Sequence, residues 1–423
     1  MKNQADSGAL RTLPADEAAG GVSGAQTENS CENAGAEKGK RQFAPDVLRV
    51  IAMLFIILHH LLTGNIGFSQ AQQGESGALY YVSSFLDGFF VIGVNIFFLL
   101  SGYLKINLRL SKIISLLLKI FVIGSLSVCI AAACGTEEYG GAWDIILSCL
   151  TFAFEHWFVY VYIGICLLSP LLNLFVEKLG GKAGYFVGIS LFLLSIVAFG
   201  ADYIYAADDG GGSLPRVSLL GTNAGYSILW GCALYLFGRL ISLHGFAFRR
   251  RARFWALSFV VCSLVLGGVT AGLIALGQGA AAWWFIYCYN NPLQLFSAVS
   301  LLCICLHIRG GRGAFSAAVS FAAKHSFTAY IIHSDNPLFS PYRAFLLDCV
   351  SGKFWAQILL LLPNAIIIFA LGIAVSFVYD FTLGRIFGRF SRFAERVCLA
   401  AGRKVCGATG RVFGGAKGDT KDS

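Results

Sequence analysis

Charged residues are scarce in this chain, and their scarcity excludes an ordinary soluble protein. Only 13% of its 423 residues are Asp, Glu, Lys or Arg, about half the share that a soluble domain carries. Apolar residues make up 57%, the mean hydropathy is +0.69, and apolar runs long enough to cross a bilayer recur along the sequence. The composition therefore predicts an all-α polytopic membrane protein.

Three further features of the sequence narrow the possible functions. No Cys-x-x-Cys pair and no His/Cys cluster with zinc spacing occurs, so we expect no metal site and interpret the 13 cysteines as small apolar packing residues. Residues 1–42 have no apolar stretch of the signal-peptide kind, and their aperiodic polar sequence predicts a disordered cytoplasmic tail. The net charge of +9 is scattered over short loops and the C-terminal part, which argues against nucleic-acid binding.

Ten apolar segments are candidate membrane spans within a domain that we place at residues 43–380. They lie near 46–64, 85–104, 113–134, 157–176, 184–203, 221–242, 254–276, 289–308, 315–334 and 356–379. Two loops between them, 65–84 and 135–156, contain no Lys or Arg, whereas the alternate connections are basic. The positive-inside rule then predicts that both termini are cytoplasmic, including a basic C-terminal tail at 381–423.

Arg49 and His60 are the most informative pair inside the first span. Eleven residues make three helical turns plus roughly 20°, so both side chains point the same way, about 16 Å apart along the axis. His59 falls about 80° off that line. An ionisable residue within a membrane is costly and indicates function, and this geometry suits a long ligand with an anionic end. Asp46, three residues before Arg49, is expected to hold its guanidinium by an ion pair.

Four motifs in chain order resemble the acyltransferase-3 family of membrane O-acyltransferases. They are Arg49-x10-His60, Phe-Phe-x-Leu-Ser-Gly-Tyr at 97–103, the segment from His156-Trp157 to Ser-Pro-Leu-Leu at 169–172, and Ser-Phe-Thr-Ala-Tyr-Ile-Ile-His at 326–333. The chain departs from the usual pattern in an Arg-rich stretch that commonly follows the second span, represented here only by Lys105, Arg109, Lys112 and Lys119, and at two single positions. Asn95 stands where the family often has Asp or Pro, and Tyr103 stands where it has Phe.

The resemblance implies transfer of an acyl group, usually acetyl, from cytoplasmic acyl-CoA to a hydroxyl of a glycan or lipid-linked sugar. It implies a multi-pass protein of the bacterial cytoplasmic membrane, with acyl-CoA as co-substrate and no permanently bound cofactor. Arg49 would bind a CoA phosphate, with Lys105, Arg109 and Ser101 lining the same donor site, because Arg offers two donors to phosphate. His60 would act as general base, and a covalent acyl-histidine relay is a less favoured variant.

Other residues of the motifs are candidates for the acceptor side. His333 and His156 fall toward the outer face of the predicted topology, where either could orient the acceptor or assist proton removal. Structural interfacial histidines fit these positions about as well. Trp157 and Tyr330, within the same motifs, are candidate contacts for the acceptor sugar.

Two other function classes remain compatible with the sequence. A transporter or flippase of a lipid-linked glycan or small solute also needs many spans with polar residues inside them. Against it, the two halves show no inverted repeat and few acidic residues for ion coupling. A membrane sensor with partner-binding tails has only the polar N-terminus in its favour.

Overall fold

The computed structural model describes residues 43–63, 77–208, 221–308, 310–311, 313–334, 336–350 and 354–414, so the predicted tail at 1–42 lies outside it. The described residues contain helices and no β-strand. The first eight α-helices are α1 (Phe43–Leu61), α2 (Ala78–Phe90), α3 (Gly93–Tyr103), α4 (Leu110–Cys134), α5 (Ala142–Glu155), α6 (Trp157–Glu177), α7 (Gly181–Asp208) and α8 (Ile228–His244). The other eight are α9 (Ala252–Ala275), α10 (Gly279–Tyr287), α11 (Pro292–Leu306), α12 (Ala314–His325), α13 (Phe327–His333), α14 (Phe339–Val350), α15 (Phe354–Thr382) and α16 (Gly384–Gly414).

The chain is a multi-pass membrane protein by the length and apolar composition of its helices. Eight helical stretches in the described part are long and apolar enough to cross a membrane; they are α1, α2 with α3, α4, α6, α7, α9, α10 with α11, and α15. The sixth predicted span is α8, an apolar helix of 17 residues. The ninth predicted span is divided between α12 and α13. Ten candidate segments in the sequence thus correspond to eight full-length apolar stretches plus these two shorter elements.

Close helix packing in the centre of the bundle depends on glycine. A Cβ atom on Gly102 of α3 would lie 2.0 Å from the carbonyl oxygen of Tyr235 in α8. A Cβ on Gly238 of α8 would lie equally close to the carbonyl oxygen of Leu99. Neither position therefore accepts a larger residue, and small residues of this kind let two membrane helices approach. The result is that α3, which carries the Ser-Gly motif, is fixed against α8.

Helix α1 is central because α3, α11, α12, α13 and α15 all pack against it. We call the end of the bundle that carries Arg49, Lys105, Arg239 and the arginines at 249–253 the basic end. There Glu177 binds both Lys105 and Arg239. Helix α16 lies beside α4, where the hydroxyl groups of Ser115 and Ser391 are 2.9 Å apart. Hydrogen bonds from Ser111 of α4 lower the pKa of the Glu395 carboxyl on α16.

We predict that the basic end faces the cytoplasm. Glu138, in the predicted outer loop, and Arg250, at the basic end, are both exposed. On a cysteine-depleted background, Glu138→Cys should react with an impermeant maleimide in intact cells, and Arg250→Cys should react only after permeabilisation. The opposite labelling pattern would overturn the orientation and the cytoplasmic side assigned to Arg49.

Candidate active site

Arg49 is held in place at the basic end by the predicted ion pair. Its Nη1 lies 3.1 Å from Asp46 Oδ1, and the hydroxyl of Ser320 in α12 donates to Asp46 Oδ2 at 2.7 Å. Asp46 is buried, whereas the Arg49 side chain keeps 27% of its surface exposed. The carboxylate therefore fixes one side of the guanidinium and leaves part of it accessible.

A cavity of about 540 Å³ opens next to Arg49. We call it the basic cavity, because its lining includes six cationic side chains and no carboxylate: Arg49, Lys105, Arg109, Lys112, Lys119 and Lys324. Ser101 also lines it. The four residues predicted to form a donor site, Arg49, Ser101, Lys105 and Arg109, are thus brought together around one space. A cavity with this charge favours a strongly anionic ligand.

Besides Arg49, three of these cations form ion pairs with acidic residues that do not line the cavity. Lys105 Nζ lies 2.6 Å from Glu177 Oε1. Asp380 of α15 lies 3.4 Å from Lys119 Nζ and 3.6 Å from Lys324 Nζ. Lys324 was not a candidate in the sequence, because only the packing of α12 and α15 shows that it shares this cavity. These ion pairs fix the positions of the three lysine ammonium groups around the cavity.

His60 lies deeper on α1 and does not line the basic cavity. Its Nδ1 is 2.9 Å from Nε2 of His333, at the end of α13. The other nitrogen of His333, Nδ1, is hydrogen-bonded to the carbonyl oxygen of Ala329. The sequence placed His60 inside the first span and His333 toward the outer face, and it did not predict this contact.

The hydrogen bonds assign the tautomers of this histidine pair. A carbonyl oxygen only accepts, so His333 Nδ1 must donate to Ala329, and the neutral ring then presents Nε2 as an acceptor. His60 Nδ1 accordingly donates to His333, which leaves Nε2 of a neutral His60 unprotonated. In this neutral form Nε2 of His60 carries a lone pair, and the contact with His333 holds the ring through Nδ1.

His156 occupies a different kind of position. It is buried between α5 and α6, with Nδ1 2.9 Å from the carbonyl oxygen of Phe152 and Nε2 2.9 Å from that of Ser334. Both ring nitrogens face backbone acceptors, so His156 joins the start of α6 to the end of α13. The ring offers no nitrogen to an acceptor substrate in this arrangement.

Trp157 belongs to a cluster of aromatic rings near the opposite end of the bundle. Its ring centroid is 4.6 Å from that of Tyr226 and 5.5 Å from that of Tyr289. The side-chain amide of Asn95 donates to the carbonyl oxygen of Tyr289 at 2.9 Å, so the departure at Asn95 supports this cluster. Tyr330 is buried, and its ring centroid lies 6.2 Å from that of His333.

Asp87 is a second residue that sequence analysis missed. Its Oδ1 lies 2.7 Å from Nδ1 of His59, and both side chains are almost fully buried. The other oxygen, Oδ2, has no hydrogen-bond partner within the described residues. A lone acidic residue in the apolar helix α2 was the available signal. His59, which the helical phase separates from His60, thus has a carboxylate partner of its own.

Among the residues that the structure describes, no group of three His, Cys, Asp or Glu side chains is placed to hold a metal ion. A protein-family model described as "Acyltransferase domain" matches residues 43–381, which is about four fifths of the chain. No curated protein and no solved structure gives a significant match.

Proposed function

The chain belongs to the acyltransferase-3 family, and on that premise we propose that it moves an acyl group from acyl-CoA to a hydroxyl of a glycan. The observation that carries the proposal is the continuity along α1: Arg49 lines the basic cavity, and His60 stands about three turns deeper on the same face. A donor with a polyanionic head and a long arm that ends in a reactive group matches both positions. Acetyl is the acyl group that the family resemblance favours.

The basic cavity suits the nucleotide end of CoA. CoA carries a pyrophosphate and a further phosphate, and six cationic side chains face this space. The lining also includes the aromatic side chains of Phe97, Phe158, Tyr162 and Phe327. Phe158 also lies 5.6 Å, between ring centroids, from Tyr330, which in turn approaches His333. These rings would border the path of the pantetheine arm toward His60.

The reaction that we propose uses Nε2 of His60 as the base. Nε2 takes the proton from the acceptor hydroxyl while the oxygen attacks the thioester carbonyl carbon. The new carbon–oxygen ester bond forms, the carbon–sulfur bond breaks, and the CoA thiolate leaves; the proton on His60 then passes to that thiolate. Hydrogen bonding to His333 orients the ring and stabilises the imidazolium that forms.

The acceptor would reach His60 from the opposite end of the bundle. Trp157, Tyr226 and Tyr289 present adjacent aromatic rings there, and such rings combine an apolar face with a polar edge, as sugar recognition requires. The Tyr330 ring lies 5.5 Å from the ring of His156, the neighbour of Trp157, and 6.2 Å from the His333 ring. We assign the contact with the acceptor to Trp157 and Tyr330, with His156 supporting them through its backbone contacts. This arrangement corresponds to a protein of the bacterial cytoplasmic membrane that modifies a cell-envelope glycan.

The proposal is tested by following donor and acceptor together. Membranes that contain the protein should consume labelled acetyl-CoA and release CoA, and mass spectrometry of envelope glycans from a deletion strain should show one sugar that has lost an acetyl group. The His60→Ala protein should do neither. Movement of a glycan across the membrane without consumption of acyl-CoA would instead identify a flippase.

A further inference from the structure

A second cavity lies apart from the basic cavity, between α7, α8 and α11. Its volume is about 260 Å³, and no residue of its lining belongs to the basic cavity. Most of the wall consists of aliphatic and aromatic side chains: Ile189, Phe192, Phe237, Leu240, Leu295 and Val299. This apolar cleft is suited to a hydrocarbon chain.

Glycine keeps the cleft open on the side of α7. A Cβ atom on Gly188 would meet only one side-chain atom, Cδ1 of Leu240, at 3.7 Å. The space next to Gly188 therefore accepts a larger side chain without moving the backbone. Gly184, one turn earlier, differs, because a Cβ there would lie 2.2 Å from Nε2 of His244.

The mouth of the apolar cleft is cationic. The Arg249 guanidinium lies 4.6 Å from the ring centroid of Tyr185, which is part of the cleft wall. Arg249 is exposed, and none of the arginines at 249, 250, 251 and 253 forms an ion pair within the described residues. These four arginines border a shallow hollow of about 600 Å³.

Two polar atoms on the wall also lack partners. The hydroxyl of Tyr185 and Nε2 of His244 are buried and have no hydrogen-bond partner in the part of the chain that is described. Buried polar atoms in proteins are nearly always hydrogen-bonded. A polar group at the cleft mouth, close to the Tyr185 ring, would supply an acceptor for that hydroxyl.

We propose that the apolar cleft binds one anionic phospholipid from the leaflet at the basic end. One acyl chain lies along Phe192, Phe237 and Val299, and the phosphate sits against Arg249 at the mouth. Basic pockets between membrane helices on this side commonly bind anionic head groups. Charge and shape favour the same ligand here, because the Arg249 guanidinium stacks on Tyr185 of the apolar wall.

The test compares retained lipids in matched variants of the full-length protein. Protein is reconstituted in vesicles of equal parts phosphatidylcholine and phosphatidylglycerol, purified in detergent, and its bound lipids are quantified by mass spectrometry. Wild type should retain phosphatidylglycerol in preference to phosphatidylcholine. Arg249→Gln should lower that retention about fivefold, the effect expected of one basic residue at an anionic surface. Gly188→Leu should abolish it by filling the cleft.

Arg250→Gln is the matched control, because Arg250 is the adjacent charge and stacks on Phe254, outside the cleft, with 5.5 Å between its guanidinium carbon and the ring centroid. It should retain phosphatidylglycerol as wild type does. An equal loss in Arg249→Gln and Arg250→Gln would overturn the proposal, since it would reflect the general charge of this loop. Full retention in Gly188→Leu, or equal retention of the two lipids by wild type, would overturn it as well.

Discussion

His60→Ala is expected to lower the rate of acyl transfer by about 10²–10⁴-fold, the usual effect of removing a general base. The expectation rests on the tautomer of the neutral histidine pair: His60 donates the hydrogen bond to His333 from its Nδ1–H, so Nε2 of His60 is the nitrogen able to take a proton. Acyl-CoA binding should remain close to wild type, because His60 does not line the basic cavity. The measurements are acylated glycan per unit of membrane protein and acyl-CoA affinity of the purified variant.

His59 is the control residue for His60. Its contact with Asp87 changes which His59 variant can serve as that control. The helical phase predicts that loss of His59 leaves a substantial fraction of activity, since its side chain points away from the Arg49 line. His59→Ala alone, however, strips buried Asp87 of the partner at 2.7 Å. Removing one member of a buried pair destabilises a protein by about 3–5 kcal/mol, so activity and folding would be lost together.

A paired variant avoids this difficulty. When His59→Leu is combined with Asp87→Leu, no uncompensated carboxylate remains, and replacing both partners by apolar groups can be nearly neutral for stability. We expect this protein to reach the membrane and to keep a substantial fraction of activity. A loss equal to that of His60→Ala would favour a shared structural role for the two histidines. A larger loss of activity than in His60→Ala would indicate that His59, and not His60, is the general base.

The contacts within one helix were predictable from the sequence. The spacing of Asp46 and Arg49 predicts an ion pair one turn apart, and the structure has it at 3.1 Å. Such inferences succeed because the geometry of a single helix is fixed by its 3.6-residue turn.

Contacts between helices distant in sequence were not predictable in the same way. His60 and His333 are 273 residues apart, and helical phase fixes each side chain only relative to its own axis. The partnership of His59 with Asp87, and the presence of Lys324 in the basic cavity, likewise depend on how α2 and α12 pack on α1. The sequence indicates that these residues have a function, because each is ionisable in a largely apolar chain. It does not indicate which of them are in contact.

Helix interruptions explain a second limit of sequence analysis. The ninth predicted span resembles one apolar run, yet the structure divides it at Ser326 into α12 and α13. His333, which contacts His60, lies at the end of α13, beyond this break. Apolar composition alone does not report such a break, because hydropathy is averaged over a window longer than either helix.

Arg49→Lys is expected to remove most activity although the charge is kept. An ammonium group cannot make the paired, planar hydrogen bonds that a guanidinium makes to phosphate. One such charged interaction contributes about 1.5–3 kcal/mol, so the affinity for acyl-CoA should fall about 10- to 100-fold. Expression should be normal, because Ser320 continues to bond Asp46 and a lysine still offers that carboxylate a cation. Isothermal titration with acetyl-CoA measures the change.

Arg250→Lys is the matched control for this prediction, since it makes the same chemical change at an exposed arginine of the basic end that lies outside the basic cavity. It should bind acetyl-CoA as wild type does. At saturating acetyl-CoA, Arg49→Lys should recover much of its turnover, because the arginine acts on donor binding and His60 on the chemical step. Wild-type affinity in Arg49→Lys would remove Arg49 from the phosphate site. A turnover defect that acetyl-CoA does not relieve would place Arg49 in the chemistry instead, which its position about three turns above His60 makes geometrically remote.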